Sequence, residues 1–447
     1  MEMENIEYFN GLNEKLFLSI PISSVNILEL GCANGFLGFA YKQKNPNTKW
    51  TGLDINQNAV MNSNNKLDRV LLVDLNFEKL SSLFSKNEFD TIVIGDLLEH
   101  LLDPYELISQ LRDVTNDNST IVCCIPNMVN VQVLEKIITG DMTYDDNGLL
   151  DKTHQRFFSL PSAFKMFLDN GFIPELVDQY NIQLTDTPFI RGIIDAANSI
   201  GVPVENLIKN LSRYQMIIRA RKIDNKINDE KIYAFNSISV VVKKRSQQKV
   251  NENIFKSPGL KEINAQIIVI DEDECAAEVF EAGRNLAINE WILILSDSCY
   301  LPKGSGFAML QKLSEINITS PVGFHGFSLT NQNYIEMRGM KITEDALIKY
   351  GMGEDIIAMD DFAVFLNKNS PLKIDPLLGW HNFATDLCIQ AFLNDEVANG
   401  KVLDIPIFSN EYQYQEGTQF QNSSDYLKEK WKNLSKIETM KGTLINE

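Results

Sequence analysis

The 447-residue sequence contains no apolar run approaching the ~20 residues that span a bilayer, so no integral membrane segment is expected. It also lacks a basic surplus. Lys and Arg number 41 against 60 Asp and Glu, for a net charge of −19, which excludes duplex nucleic acid or an anionic membrane surface as the main partner. One local anion site for a nucleotide ligand is still compatible with that balance. The six cysteines (Cys32, Cys123, Cys124, Cys275, Cys299 and Cys388) show no C-x-x-C or zinc-type spacing. They read as reduced, mostly buried thiols, and a metal centre built on cysteine is excluded. Histidine is scarce, at four residues, and internal repeats and low-complexity tracts are absent. The opening stretch MEMENIEYFNGLNEKL is acidic and polar where a secretory leader is basic and then apolar, so a cytoplasmic location is expected.

What is present is ordinary globular composition, with 44% hydrophobic and 23% charged residues. In the first half, apolar runs at 25–30, 50–53, 70–73, 91–94 and 120–125 alternate with helical stretches such as 97–112. That alternation predicts a parallel sheet covered by helices. A helical pattern at 162–170 stops at Gly171, and 214–220 reads as a late edge strand. The stretch KIDNKINDEK, from residue 222, is charged and poor in apolar residues, and so reads as a linker. A second alternating pattern then begins with runs at 238–242, 265–270 and 291–295, and a polar helix from about Asp425 is anchored by Trp431. The expected fold class is therefore α/β throughout. A first domain at 1–222 and a linker at 223–235 precede a second α/β domain at 236–447.

The first motif is NILELGCANGFLGFA, an apolar strand, a glycine-bearing turn and a helix. Gly31 and Gly35 let the backbone turn tightly and approach a ligand that a Cβ would block. Asp54, closing the next strand in WTGLDIN, stands about 20 residues on, the offset of a carboxylate that accepts from both ribose hydroxyls.

The GxGxxG spacing of dinucleotide enzymes is absent; Glu29-Leu-Gly-Cys-Ala-Asn-Gly35 instead resembles the E/D-x-G-x-x-x-G motif of class I methyltransferases. The resemblance covers nearly all of residues 20–222 and implies a Rossmann-like seven-stranded sheet with S-adenosyl-L-methionine as cofactor. It implies cofactor contacts from Glu29, Gly31, Cys32, Asn34 and Gly35 in the loop, and from Asp54 and Ile55 after the second strand. Asp74 and Leu75 would contact the adenine after the third strand, and Asp96 and Leu97 would lead into the pocket after the fourth.

Two histidine motifs follow. Asp96, Glu99 and His100 stand at i, i+3 and i+4, which on a helix is one face. The cluster resembles the E-x-x-E-H group that holds a divalent cation in ubiquinone-pathway O-methyltransferases. The competing reading has Glu99 and His100 tying the helix to neighbouring backbone, and it is the one expected, since Asp replaces Glu at the first position; a divalent cation is not the favoured expectation. The segment from Asp151 through His154 and Arg156 to Ser159 resembles the D-x-T-H-x-R-F-F-T motif of methyltransferases encoded with surface-polysaccharide enzymes. That resemblance implies His154 as base toward a sugar hydroxyl, Asp151 as its orienting partner and Arg156 as a hold on an anionic acceptor. A structural knot in which Asp151 pairs with Arg156 is the alternative.

Residues 236–434 resemble family 2 glycosyltransferase-like domains of GT-A type, through SPG at 257–259, the stretch 282–304, MDDFAVFL at 359–366, GWHNFATDLCIQAF at 379–392 and SSDYLKEKW at 423–431. Where that family carries D-x-D, this chain reads Ser296-Asp297-Ser298, and a downstream histidine is replaced within 407–410. Hydroxyls lack the charge that binds a divalent ion on pyrophosphate. The resemblance places Asp297, Asp361, His381 and Asp386 at a sugar site, with His381 and Asp386 expected to share a polar pocket. His325 reads as a packed histidine, and the aromatic stretch 408–420 as core before sugar platform.

These expectations converge on a methyltransferase acting on a sugar, as a nucleotide sugar or within a glycan or lipid-linked acceptor, with a sugar-binding second domain. A bifunctional methyl- and glycosyltransferase and a non-catalytic carbohydrate scaffold are the alternatives.

Overall fold

The computed structural model describes residues 12–199, 204–222, 237–271, 275–329, 335–342, 347–351, 353–409 and 418–432, and two short strands at 438–439 and 442–443. The chain divides into two compact units, Met1–Asp224 and Asn225–Glu447. The expected linker, 223–235, lies outside the described residues.

The first unit is one seven-stranded sheet: β1 (Asn26–Leu30), β2 (Lys49–Asp54), β3 (Arg69–Leu72), β4 (Phe89–Gly95), β5 (Thr115–Pro126), β6 (Phe172–Asn181) and β7 (Arg213–Lys222), in the order β3-β2-β1-β4-β5-β7-β6. β1 pairs in parallel with β2 and β4, and both of its faces are buried, which is why NILEL reads as a near-continuous apolar run. The stretch 214–220 does not form an edge strand. β7 runs antiparallel between β5 and β6, with Met216, Ile217, Ile218 and Ala220 fully buried. The true edge is β6, whose pattern FIPELVDQYN is weakly apolar and contains Pro174, a residue that edge strands tolerate.

The stretch 97–112 is not one helix either. β4 ends at Gly95, Asp96 takes a left-handed conformation (φ 45°), a single 3-10 turn covers Leu98–His100, and a helix begins only at Pro104. Asp103 caps that helix by accepting from the Glu106 N–H, with Pro104 supplying a preset φ at its first position. The helix Leu160–Asp169 stops where expected, at Gly171 with φ +75°.

The second unit holds a twelve-stranded sheet. Its strands are β8 (Ser239–Lys243), β9 (Gln266–Ile270), β10 (Trp291–Ser296), β11 (Cys299–Tyr300), β12 (Val322–Gly323), β13 (His325–Leu329), β14 (Ile335–Ile342), β15 (Leu347–Gly351), β16 (Gly353–Met359), β17 (Ala363–Asn367), β18 (Gly400–Val402) and β19 (Phe408–Ser409). β9, β8 and β10 are parallel, β17 pairs antiparallel with β10, and β13, β14 and β16 form antiparallel pairs beyond. Alternate residues feed two cores. Val241, Ile292 and Ile294 pack with helices Ala276–Leu286 and Phe383–Phe392, while Val240, Val242, Leu293 and Leu295 pack with helix Ser305–Ser314. The terminal helix spans Thr418–Lys430, starting earlier than Asp425, and Trp431 anchors its end. No described helix is long and apolar enough to cross a membrane.

Candidate functional site

In the first unit the chain leaves β1 and proceeds outward through β2 and β3 before crossing to β4, so the carboxyl end of β1 is the switch point at which open α/β sheets bind ligands. The loop there is tightly wound. Gly31, Ala33 and Gly35 all have positive φ (75°, 44° and 73°). The Gly31 and Cys32 N–H groups donate to the Leu53 carbonyl at 2.8 and 2.9 Å, fastening the loop to β2. A Cβ on Gly35 would lie 2.8 Å from the Ser63 Cβ, so this position needs glycine on both conformational and steric grounds.

Asp54 faces this loop. One carboxylate oxygen accepts from the Ala33 N–H and the other from the Asn56 N–H, both at 2.8 Å. Beneath it Glu29 is buried, and its carboxylate accepts from the Trp50 indole N–H at 2.8 Å. Burial pushes the Glu29 carboxyl up to about 8, aided by the charge of Asp54 and opposed by the Trp50 bond. The same burial, with Glu29 and Asp54 nearby, pushes the Cys32 thiol up to about 12, which leaves it unreactive at neutral pH. Asp74 accepts from the Asn76 N–H, and Ile55 is exposed beside the end of β2. Asn34 holds helix Gln57–Ser63 through the Asn62 amide at 3.1 Å. Asp96 accepts from the Gln215 amide at 2.7 Å, and the Leu97 side chain lies 3.5 Å from where a Gly31 Cβ would stand. The sequence-derived residues therefore lie at the carboxyl ends of the adjacent strands β3, β2, β1 and β4.

The histidine motifs arrange differently from expectation. Because Asp96 is left-handed and only a 3-10 turn follows, Asp96, Glu99 and His100 do not share a helical face. Instead the 151–156 segment folds onto that turn. Gln155 and Arg156 N–H groups donate to the Glu99 carbonyl at 2.7 and 3.0 Å, and the His100 and His154 rings meet edge to face with centroids 4.8 Å apart. Glu99, His100 and His154 each present a ligand atom within 4.8 Å of the others. Glu99 is buried, with its Oε2 making no hydrogen bond, and burial with the Asp96 charge pushes its carboxyl up to about 8. Burial, then the neighbouring His154, holds the His100 imidazole below its usual range.

Asp151 neither pairs with Arg156 nor hydrogen-bonds His154. Its Oδ1 accepts from the Thr153 N–H and hydroxyl at 2.7 and 2.6 Å, and the Thr153 hydroxyl oxygen stands 3.1 Å from His100 Nδ1. Asp151 thus acts on His100 through Thr153, while His154 Nδ1 bonds the Leu149 carbonyl at 3.1 Å. The Arg156 guanidinium donates to the carbonyls of Leu102 and Gln155. The pairing at Thr153 has no spacing signal and could not be read from sequence.

In the second unit Asp297 is buried, and its carboxylate accepts from the Arg245 and Ser246 N–H groups at 3.0 Å each, with Ser296 and Ser298 hydroxyls 2.8 Å apart beside it. Asp361 accepts from the Asn382 and Ala384 N–H groups at 2.7 and 2.9 Å, capping helix Phe383–Phe392. Asp386 does not join His381. It is buried and taken by Lys430 at 2.9 Å, the Trp431 indole at 2.7 Å and Gln390 at 2.7 Å, while the His381 ring meets Phe420 edge-on. His325 packs as expected, fully buried with Nδ1 3.2 Å from Asp360. Residues 410–417 of the aromatic stretch lie outside the described residues. Lys243 stands 5.0 Å over the Trp380 ring, and the Ser296 N–H donates to the Phe362 carbonyl, so Trp380, Asp297 and Asp361 gather where β8 and β10 end.

Comparison with known proteins bears on the first unit. Residues 22–162 match the model of the family described as "Methyltransferase domain". No curated protein matches. Among solved structures, an S-adenosylmethionine-dependent methyltransferase from Archaeoglobus fulgidus is 22% identical, with 47% of this chain and 92% of that chain covered and a TM-score of 0.34. The YcgJ protein from Bacillus subtilis is 14% identical, with 47% and 97% covered and a TM-score of 0.34.

Proposed function

We propose that the first unit is an S-adenosylmethionine-dependent methyltransferase whose acceptor is a hydroxyl of a sugar or glycan precursor, and that the second unit is a GT-A-like domain that recognises carbohydrate without catalysing glycosyl transfer. The observation that carries the first part is the left-handed Gly31/Gly35 loop at the switch point, facing Asp54 on the neighbouring strand. The residues fit the cofactor. The loop is a cradle that side chains at 31 and 35 would strain, Asp54 offers a carboxylate suited to ribose hydroxyls, and Asp96 adds an acidic group suited to the cationic methionine end. When bound, the cofactor supplies an electrophilic methyl group, so the protein's task is alignment and management of one proton.

His154 and His100 are the groups we place at the acceptor. Carbonyl bonds to Nδ1 leave each ring's Nε2 as a lone pair, available to the acceptor's hydroxyl proton or, as developed below, to a cation that binds the hydroxyl. Arg156 is committed to main-chain carbonyls and fixes the segment that carries His154. In the second unit, Trp380 offers an aromatic face suited to a sugar ring, while one carboxylate oxygen of Asp297 accepts from two backbone N–H groups and Asp361 accepts from the N–H groups at a helix start. A single such aspartate between two serines does not make a metal-diphosphate site, which weighs against the bifunctional reading.

Calorimetric titration of the full chain with S-adenosylmethionine tests the first part: binding lost in Asp54→Ala is expected, and no binding by the native chain refutes it. Transfer of labelled methyl from the cofactor to a panel of nucleotide sugars and sugar phosphates then identifies the acceptor. Labelling only of small amines or carbon acids would refute the hydroxyl assignment.

A further inference from the structure

The two histidine motifs, with His100 and His154 54 positions apart in sequence, meet in space, and the geometry points to a binding site for one divalent first-row transition ion held by Glu99, His100 and His154. Ligand atoms of the three lie within 4.8 Å of one another. A cation at about 2.0–2.1 Å from each would draw them to a spacing of roughly 3.3 Å, a movement that side-chain torsions can supply.

The hydrogen bonds prepare both imidazoles for this role. His154 Nδ1 meets the carbonyl of Leu149 at 3.1 Å, and a carbonyl only accepts, so the proton sits on Nδ1 and Nε2 keeps its lone pair. At His100 the logic has one further step. The Thr153 hydroxyl gives its proton to the Asp151 carboxylate at 2.6 Å, so its oxygen accepts from His100 Nδ1 at 3.1 Å, with the Thr153 carbonyl at 3.3 Å as a second acceptor. Carbonyl and carboxylate-backed partners on the far nitrogen are the usual outer-shell support of metal-binding histidines. The third member is independent of these. Glu99 is 1% exposed, yet its Oε2 has no hydrogen-bond partner. A buried carboxylate oxygen without a partner costs free energy that a coordinated cation would recover. Two imidazoles and one carboxylate suit zinc, iron(II), cobalt(II) or manganese(II) better than magnesium or calcium, which prefer all-oxygen sets.

Three protein ligands leave positions for an exogenous oxygen. Resting on the methyltransferase reading, that oxygen is the acceptor hydroxyl, which the cation would orient and acidify, its proton leaving to bulk water because both imidazoles are then metal ligands. This makes a hydroxyl flanked by a second oxygen donor the favoured acceptor class.

The test is titration of metal-stripped full-length protein with cobalt(II), followed by its visible absorption, with zinc competition and a parallel calorimetric titration of S-adenosylmethionine. One equivalent bound in a site with nitrogen and oxygen ligation is expected. Affinity should fall at least about tenfold in Glu99→Gln, His100→Ala and His154→Ala. Glu99→Gln preserves shape, and retained S-adenosylmethionine binding shows that each variant is folded. Cobalt binding unchanged in folded His154→Ala, or a thiolate charge-transfer band that disappears in Cys275→Ala, overturns the site. Metal bound without any S-adenosylmethionine affinity would instead count against the methyltransferase reading and leave the metal site standing.

Discussion

Replacing Glu29 by Gln isolates the cost of a carboxylate that the cofactor loop keeps in its floor. Glu29 is buried and its carboxyl is pushed from 4.5 up to about 8, chiefly by burial. In the native state it therefore holds a proton that the unfolded chain releases. The favourable term is fully present below about pH 4.5 and is lost as the pH rises through about 8. At roughly 1.4 kcal/mol per unit of pKa, that rise bounds the loss at about 5 kcal/mol above pH 8, and relaxation around the ionised group brings the expected value nearer 2–4 kcal/mol. Glutamine carries no titrating proton, and its amide oxygen can still accept from Trp50. Glu29→Gln should thus be close to neutral near pH 5 and stabilising by about 2–4 kcal/mol near pH 9. Native-state hydrogen exchange of peptides covering β1 and β2, corrected for intrinsic rates, reads this directly within the intact chain. Parallel stability curves for native and variant protein across that range would refute the reasoning. So would destabilisation by Gln at alkaline pH.

Gly35→Ala combines a left-handed backbone with a Cβ 2.8 Å from that of Ser63, and should cost about 1–3 kcal/mol in the first unit's unfolding and abolish calorimetric S-adenosylmethionine binding. Asp386→Ala leaves the Trp431 indole without its buried partner and Lys430 with Asp375 alone, so a loss of about 1–3 kcal/mol and early proteolysis in helix Thr418–Lys430 are expected, read by urea unfolding and limited digestion. Asp297→Ala leaves two main-chain N–H groups unpaired and should lower the second unit's stability by about 1–3 kcal/mol. Consistent with that structural role, manganese should add no nucleotide-sugar-dependent rise to the second unit's thermal midpoint, read in Glu99→Gln so that the cation site proposed in the first unit does not contribute.

Much of the first unit was legible because its signals are local. β1, β2, β4 and β5 are buried runs whose apolar character declares them, and the Gly31–Gly35 loop and Asp54 lie where strand ends put them. What escaped was set by long-range pairing. Nothing in residues 214–220 distinguishes an edge from an interior strand, since that depends on whether the weakly patterned β6 pairs beyond it. The one-face reading of Asp96, Glu99 and His100 failed because a helical period was applied across a strand end, although Asp103-Pro104 was a visible helix start. The meeting of His100 and His154 depends on main-chain bonds from 155 and 156 to Glu99, which leave no trace in composition. In the second unit, Asp361 and Asp386 were expected at a sugar site, but a half-buried acid capping a helix and a buried acid pairing a lysine look alike in sequence to acids at a reaction centre.

The 151–156 segment is fastened by the 155 and 156 N–H groups to the Glu99 carbonyl and by the side chains of Thr153 and Arg156 to His100 and the Leu102 carbonyl. Between β5 and this docking point Asn127 and Asn130 bond the Arg213 carbonyl and Val133, Leu149 and Leu150 form a small core, while Val129, Ile137, Ile138, Met142 and Tyr144 are exposed. The exposed side chains at 137–144 can change without moving the Gly31 loop or Asp54, whereas Asn127, Asn130, Asp151, Thr153 and Arg156 are each tied into the first unit by side-chain bonds. Under the proposed function, exchanging residues 137–144 for those of a relative and re-reading the acceptor panel tests whether that stretch sets the choice of acceptor.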